Sequence, residues 1–279
     1  MNLWRMELTH LFRSWRGWLL LSAYFLASPL AIVSGIFIER SYGFPHDQVI
    51  DFYILFTLPA SLMFIGIVVS SLSFDSNRDS SLFLRIRFSV KQILIAKTGF
   101  YFALNGAFFL AGLAISFVFG IMIFDSSDSI SLAWMLWGLF FYFTGGIFWI
   151  GLMSFTSAMF TSSVASVLLT LAIILGIPVI SGVLTTIELL MRGLIETPPN
   201  NWQNVSYVAK IMEWWPAGTG DATAFFGVTQ SEIAAGKITV QFQEVDLDPF
   251  FRVKPLISSL LTTPLLMAYA WRKFSTREI

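Results

Sequence analysis

Long apolar runs constrain this chain more than any other feature of its sequence. Several of them reach about 18 residues or more, so each can cross the hydrocarbon core of a bilayer as a helix. Hydrophobic residues make up 56% of the chain and charged residues 12%, against ~25% charged residues in an ordinary soluble domain. The sequence therefore predicts an all-α polytopic membrane protein that forms a single transmembrane domain.

Six apolar segments are separated by polar connections, which predicts six transmembrane helices. The first is too long for the core of a signal peptide and is interpreted as a retained helix. Pro59 is expected to kink the second helix, and Pro178 and Pro264 lie inside the fifth and sixth. The predicted spans cover residues 18–38, 52–74, 97–124, 131–155, 167–187 and 255–271.

The distribution of charge along the chain predicts its orientation. With the N-terminus inside, lysine and arginine concentrate in the inner segments and acidic residues in the outer ones, as expected for cytoplasmic loops. The sequence thus predicts a multi-pass protein of the cell membrane with both termini cytoplasmic.

Residues 2–16 (NLWRMELTHLFRSWR) have the pattern of an amphipathic helix. Tryptophans and basic residues beside an apolar face are typical of a helix that lies in the headgroup region. The alternative is a cytoplasmic extension of the first span. The apolar face would hold Leu3, Met6, Leu8, Leu11, Phe12 and Trp15, and the polar face Arg5, Glu7, His10, Arg13, Ser14 and Arg16.

Residues 74–97 form a charged segment between two apolar ones and contain five of the seventeen basic residues, namely Arg78, Arg85, Arg87, Lys91 and Lys97. We expect it to carry a short helix along the inner membrane face, where a soluble partner can bind. A longer helix is predicted to start near Val90 and to run to about Phe124. At 1.5 Å per residue its length is on the order of 50 Å, beyond the hydrocarbon thickness of about 30 Å, so its first turns must stand in the cytoplasm.

Two stripes of small residues recur at every fourth position and predict close helix packing. One lies in the first span (Ala23, Ala27, Ala31 and Gly35) and the other in the third (Gly99, Ala103, Ala107 and Ala111).

Residues 188–254 form the longest polar stretch, predicted to be an extracytoplasmic loop. The part around Trp214, Trp215 and Pro216 is too interrupted by charges to span a membrane, and the paired tryptophans suit an interfacial anchor. It is interpreted as an outer re-entrant hairpin between helices five and six. Residues 230–251 are expected to be strand-like.

Several functional classes are disfavoured by what the sequence lacks. Beyond Lys97 at the edge of the third span, the apolar cores hold no Asp, Glu, Lys, Arg or His, which weakens the class of ion-coupled carriers. The only histidines, His10 and His46, fall on opposite sides of the predicted membrane, and there is no cysteine, so no metal site is expected. The phosphate-binding pattern GxxxxGK[ST] is missing. This chain is therefore expected to be no enzyme and to bind no cofactor, and a pump would need a separate ATPase subunit.

Three features together resemble the permease subunits of ABC-2 type ATP-binding cassette transporters. The amphipathic N-terminal helix is similar to the elbow helix of that family. The segment SSLFLRIRFSVKQILIAK resembles the family's first coupling segment, although Arg87 stands where proline is frequent and Ser80–Ser81 replace a Gly-Thr pair. The C-terminal WRKFSTREI resembles the family's closing tail. Beside these three features, the Trp-Trp-Pro stretch also resembles the family's outer re-entrant hairpin. The residues that fit the end of the coupling pattern are Ser89, Lys91, Ile93, Leu94, Ala96 and Lys97.

The resemblance implies a transport function shared among several subunits. Two permeases, identical or related, would pair with ATPase subunits that bind ATP and Mg²⁺, and export would be the direction. Residues 75–96 would couple to the ATPase, and Trp214, Trp215 and Pro216 would form the outer hairpin or gate. The ATPase contacts would be Arg78, Asp79, Arg85, Arg87 and Lys91, although any single charge of this kind is more often a solvated or lipid-phosphate-facing one.

Two other classes stay open: a carrier or channel that works without ATP, and a membrane scaffold that recruits a soluble partner. The aromatic-rich helices would suit an apolar or amphipathic substrate such as a lipid, peptide or drug. The alternative is that these side chains face lipid and one another. The bilayer is the expected surrounding, and no nucleic-acid partner is expected.

Overall fold

The computed structural model describes residues 3–42, 53, 55–73, 84–123, 132–194, 206–216 and 253–276. All regular structure in these ranges is α-helical, which confirms the all-α prediction for them. A single helical turn also covers 84–87. The helices are α1 Leu3–Arg13, α2 Trp15–Tyr42, α3 Leu58–Leu72, α4 Val90–Ile123, α5 Leu132–Met159, α6 Ser163–Met191, α7 Tyr207–Met212 and α8 Val253–Thr276.

Four of these helices are long and apolar enough to cross a membrane. They lie in α2, α4, α6 and α8, over Trp15–Phe37, Val90–Gly120, Ser163–Met191 and Val253–Thr276. Two further apolar helical stretches, Leu58–Leu72 and Phe143–Met159, are shorter. The described residues therefore fit a membrane-embedded protein with four candidate spans, fewer than the six that the sequence predicts.

The start of α4 agrees with the sequence prediction and has a local cause. Ser89 precedes the helix, and its hydroxyl accepts a hydrogen bond from the amide of Gln92 at 3.3 Å. The Gln92 side chain in turn accepts from the amide of Ser89 at 3.0 Å. This reciprocal capping box satisfies two amides that the helix start would leave unbonded. From Val90 the helix runs for 34 residues without a break, a length of about 50 Å.

The chain turns sharply between α1 and α2, so α1 is not a straight continuation of the first apolar helix. The hydroxyl of Ser14 donates to the carbonyl of Leu11 at 2.7 Å, and the indole of Trp18 donates to the carbonyl of Phe12 at 3.0 Å. A Cβ atom at Gly17 would lie 2.5 Å from the Leu11 carbonyl oxygen. Only glycine allows this close approach.

The apolar helices pack so that their ends alternate. The end of α3 and the start of α4 lie beside α1, and the end of α8 contacts Arg85, just before α4. We call this region the α1 end. The longest contact joins α5 to α8, and α2 packs along α4. The first small-residue stripe is part of the α2–α4 contact, because Ala27 and Ala31 are buried and the hydroxyl of Ser28 donates to the carbonyl of Gly112 at 2.9 Å.

Only half of the second small-residue stripe is packed by the described part of the chain. Gly99 and Ala111 are half-buried, whereas Ala103 and Ala107 are exposed. The buried face of α4 carries bulky side chains, which fill the space beside α2 and α3, and Ala103 and Ala107 point outward. These bulky residues include Tyr101, Phe109 and Leu113.

Of the three prolines that the sequence places in predicted spans, two lie inside helices and one lies near a helix start. Pro178 and Pro264 are inside α6 and α8, as expected. Pro59 stands in the first turn of α3, where its missing N–H leaves no hydrogen bond unmade. The backbone irregularity there is a turn at Thr57, two positions earlier.

α6 leaves the bundle along most of its length. Near its start, the hydroxyls of Thr156 and Thr170 form a buried hydrogen bond of 2.6 Å. From 171 to 191 no residue of α6 is buried by the described part of the protein. The helix terminates at Gly193, whose φ of 67° is a left-handed conformation that favours glycine.

Candidate functional site

A buried ion pair lies at the α1 end. The ammonium of Lys97 on α4 is 2.6 Å from Glu7 Oε1 on α1, and each side chain is 6% exposed. The same ammonium donates to the carbonyl of Ser71 at 3.0 Å and to its hydroxyl at 2.8 Å. Three acceptors therefore match the three N–H donors of the lysine.

Both oxygens of the Glu7 carboxylate have partners as well. Its Oε2 accepts from the hydroxyl of Ser71 at 3.1 Å and from that of Tyr101 at 3.2 Å. Charges this deeply buried are tolerated only when they are paired and hydrogen-bonded. The set formed by Glu7, Ser71, Lys97 and Tyr101, which we call the α1 lock, meets both conditions and joins α1, α3 and α4.

The helix register explains why Glu7 is buried. Leu3, Glu7 and Leu11 recur at every fourth position and are the buried residues of α1. On α4, Lys97 and Tyr101 are likewise one turn apart. The assignment of Glu7 to the polar face of the N-terminal helix is thus wrong, because its side chain points into the bundle, where Lys97 neutralises it.

Two of the predicted ATPase contacts bind the end of α8. The guanidinium of Arg85 donates to the carbonyl of Phe274 at 2.9 Å. The ammonium of Lys91 lies 5.8 Å from the centre of the Trp271 ring, a cation–π contact. The basic segment and the C-terminal helix therefore meet at the α1 end. Arg78 and Asp79 lie outside the described residues.

The turn at 84–88 exposes one large apolar side chain. Leu84 is buried and Phe88 packs against the core, and the amide of Phe88 donates to the carbonyl of Leu84 at 2.9 Å. Ile86 therefore points away from the bundle and is 81% exposed, next to the exposed Arg87. We call Ile86 and Arg87 the 86–87 tip. Sequence reasoning missed Ile86, although an isoleucine between two arginines is a signal that could have drawn attention to it.

The predicted outer hairpin lies far from the α1 lock and is held by its neighbours. The ring of Trp215 makes an edge contact with Phe148 of α5, with centres 5.8 Å apart. Pro216 is buried, and its carbonyl accepts from the hydroxyl of Ser259 on α8 at 3.2 Å. Trp214 is exposed. The structure thus brings Trp215 and Pro216 onto the helix pair α5–α8 and leaves Trp214 at the surface.

A carboxylate from α6 caps the short helix that precedes these tryptophans. Glu188 accepts from the amides of Tyr207 and Val208 at 2.8 and 3.2 Å and from the hydroxyl of Ser206 at 3.0 Å. Arg192 pairs with Glu188 at 3.1 Å. On the other side of α7, Lys254 and Glu213 form an ion pair of 2.6 Å. These bonds fasten α7 to α6 and α8. The strand-like prediction for 230–251 lies outside the described residues.

The two polar sites differ in what they can do. The α1 lock is closed and connects helices, whereas the 86–87 tip is open and offers an apolar side chain beside a charge. Over the described ranges, no three side chains of His, Asp or Glu come close enough to hold a metal ion. Comparison with protein-family models, with curated proteins and with solved structures gives no match.

Proposed function

We propose that this chain is the permease subunit of an ABC-2 type ATP-binding cassette transporter. It would form the pathway by which an apolar or amphipathic substrate is exported, driven by ATP and Mg²⁺ on a separate ATPase subunit. In this proposal the chain crosses the cell membrane six times, with α1 as the elbow helix and the α1 end in the cytoplasm, where the positive-inside rule favours its basic residues.

The observation that carries the proposal is the 86–87 tip and its short connection to the spans. A soluble domain can bind an exposed apolar side chain flanked by arginines, because such a side chain fills a pocket while the charges set its orientation. Only Phe88 and Ser89 separate the turn from α4, and the capping box of Ser89 and Gln92 starts the helix directly after them. A displacement of the tip would be passed to α4 over this short connection.

The α1 lock and the α8 contacts would spread this displacement. Lys97 lies on α4 two turns inside its start and holds Glu7 of α1 and Ser71 of α3. Arg85 holds the end of α8 through Phe274. ATP-driven movement of the partner would thus shift α1, α3, α4 and α8 together, and α6 would follow through its contacts with α3 and α5.

A second permease subunit is proposed to contact α6. Residues 171–191 of this helix are exposed or only partly buried, and a Cβ atom at Gly176 or Gly182 would meet nothing within 4 Å. Small residues let a helix from another subunit approach closely in a bilayer. The outer hairpin would then stand beside the dimer axis, fastened to α6 through Glu188.

The test changes Ile86 and uses another strongly exposed residue as its control. Ile86→Glu should abolish recovery of the ATPase with the tagged chain from native membranes and leave its thermal unfolding unchanged. Met122→Glu is the control, because Met122 is 75% exposed but lies at the opposite end of α4 from the α1 end. Equal ATPase recovery with Ile86→Glu would contradict docking at the tip.

The α1 lock favours one alternative, a proton-coupled carrier. Such carriers use buried ionisable groups, and Glu7 and Lys97 are a buried pair that the sequence did not reveal. Reconstituted flux that persists without any ATPase, and that Glu7→Gln abolishes without unfolding the chain, would support this alternative over the ABC proposal.

A further inference from the structure

α1 has three faces, and the one with Leu3, Glu7 and Leu11 is buried in the bundle. The second face is apolar and only partly packed. Trp4 makes an edge contact with Phe100 of α4, with ring centres 6.1 Å apart, and Trp4 and Leu8 are each still 44% exposed. The third carries Arg5, Thr9 and Arg13, which are exposed and recur one helical turn apart. The surface of α1 thus offers an apolar strip and a basic strip side by side.

A cavity follows the basic strip. Its volume is about 400 Å³, and its described lining consists of Arg5, Met6, Thr9, His10 and Arg13. None of these residues is acidic, and the one carboxylate of α1 is turned inward and neutralised by Lys97. Within the described part of the chain, neither Arg5 nor Arg13 forms an ion pair. Both guanidinium groups are therefore available for an anion.

The neighbouring strip indicates where that anion comes from. Exposed tryptophan and leucine beside arginines are typical of a helix at the level of the lipid headgroups. Trp15, the first residue of α2, is 69% exposed and provides a further apolar side chain close to the end of α1. Because the α1 lock and the Ser14–Gly17 corner hold α1 in place, the two strips keep a fixed position relative to the bundle.

We propose that the basic strip of α1 binds the phosphate headgroup of an anionic phospholipid, whose acyl chains lie along Trp4, Leu8 and Trp15. Guanidinium groups recognise phosphate through paired hydrogen bonds. The apolar strip selects a lipid over free phosphate. This inference needs only a membrane-embedded protein and is independent of the transporter proposal.

The test compares ligands on the purified full chain in a neutral detergent. Short-chain phosphatidylglycerol should raise the thermal unfolding midpoint saturably, whereas short-chain phosphatidylcholine and inorganic phosphate should not. The variant Arg5→Gln/Arg13→Gln should bind phosphatidylglycerol at least tenfold more weakly, because each arginine near a lipid surface contributes ~1 kcal/mol. Both arginines are exposed, so the unfolding midpoint without lipid should stay the same.

The matched control removes two charges elsewhere. Arg272→Gln/Lys273→Gln changes exposed residues at the end of α8 and should leave lipid binding as it is in the wild type. If both double variants lost the same affinity for phosphatidylglycerol, binding would depend on the overall surface charge and not on the basic strip. That result would overturn the proposal. Stabilisation by inorganic phosphate alone, or unaltered lipid binding in the Arg5/Arg13 variant, would overturn it as well.

Discussion

The ammonium of Lys97 lies 2.6 Å from the carboxylate of Glu7, with both side chains buried. This ion pair connects the first helix of the chain to the longest one, and Ser71 and Tyr101 complete it. It turns a short amphipathic helix, which would otherwise be held only by apolar contacts, into a fixed part of the bundle.

Breaking the pair should destabilise the protein strongly. Lys97→Met leaves a carboxylate buried without its counter-ion, and Glu7→Gln leaves an ammonium, so each should lower the free energy of unfolding by about 3–5 kcal/mol. The double variant should recover most of this loss, because no buried charge remains. Thermal unfolding of the detergent-purified chain measures all three.

Lys91→Met is the control for the pair. Lys91 is exposed, and within the described part of the chain it contacts only the Trp271 ring. Its replacement should therefore lower the free energy of unfolding by less than about 1 kcal/mol. The double variant Glu7→Gln/Lys97→Met decides whether the two residues pair directly. If its loss of unfolding free energy equalled the sum of the losses in the two single variants, a direct pairing would be contradicted.

Gly17→Ala should open the corner between α1 and α2. The added Cβ atom would lie 2.5 Å from the carbonyl oxygen of Leu11, a backbone atom that cannot move aside alone. We expect a lower unfolding midpoint and faster proteolytic removal of α1. Gly66→Ala is the control, since nothing lies within 4 Å of its Cβ position and alanine favours a helix over glycine by up to ~1 kcal/mol. Equal midpoints for the two variants would argue against the close approach.

Arg85→Ala should loosen the end of α8. Hydrogen bonds from charged groups are worth about 1.5–3 kcal/mol, so amide exchange over 271–276 should rise at least tenfold once the Phe274 carbonyl loses its donor. Arg272→Ala, at an exposed position on the same helix, should leave exchange unchanged. Mass-detected hydrogen exchange distinguishes the two, and equal protection in both variants would count against the contact.

Glu188→Ala should uncap α7. The carboxylate accepts from two amides at the helix start, and a helix of six residues depends on such bonds because few of its own amides are paired. Without the carboxylate the amides of Tyr207 and Val208 lose their acceptor, so exchange over 207–212 should increase. Thr186→Ala is the control, because the hydroxyl of Thr186 donates only to the carbonyl of Gly182 in its own helix, and it should leave exchange over 207–212 unchanged. If exchange increased in both variants, the cause would be a change in α6 and not the loss of the Glu188 cap.

Local patterns in the sequence were sufficient for the features that depend on neighbours along the chain. The start of α4 follows from Ser89 and Gln92, three residues apart, and the packing of α2 follows from Ala27 and Ala31, one turn apart. The apolar runs led correctly to helices, because length and composition decide that question in a bilayer.

The sequence pattern does not show which helices are neighbours in the fold. Features that depend on those neighbours could therefore not be predicted from it. Glu7 looked solvated because charge normally marks the polar face, and only the position of α4 supplies Lys97 as its partner. Ala103 and Ala107 repeat like packing residues but face outward. Ile86 is apolar and was passed over, yet the inward-facing Leu84 and Phe88 leave it no place in the core.

The most direct test of the transporter proposal is recovery of the tagged chain from its native membrane in a gentle detergent, with all co-purifying proteins quantified by mass spectrometry. The account predicts an ATPase subunit with a phosphate-binding loop, in nearly equal amount to the chain. Recovery of the chain alone, or only with copies of itself, across several mild detergents would contradict it.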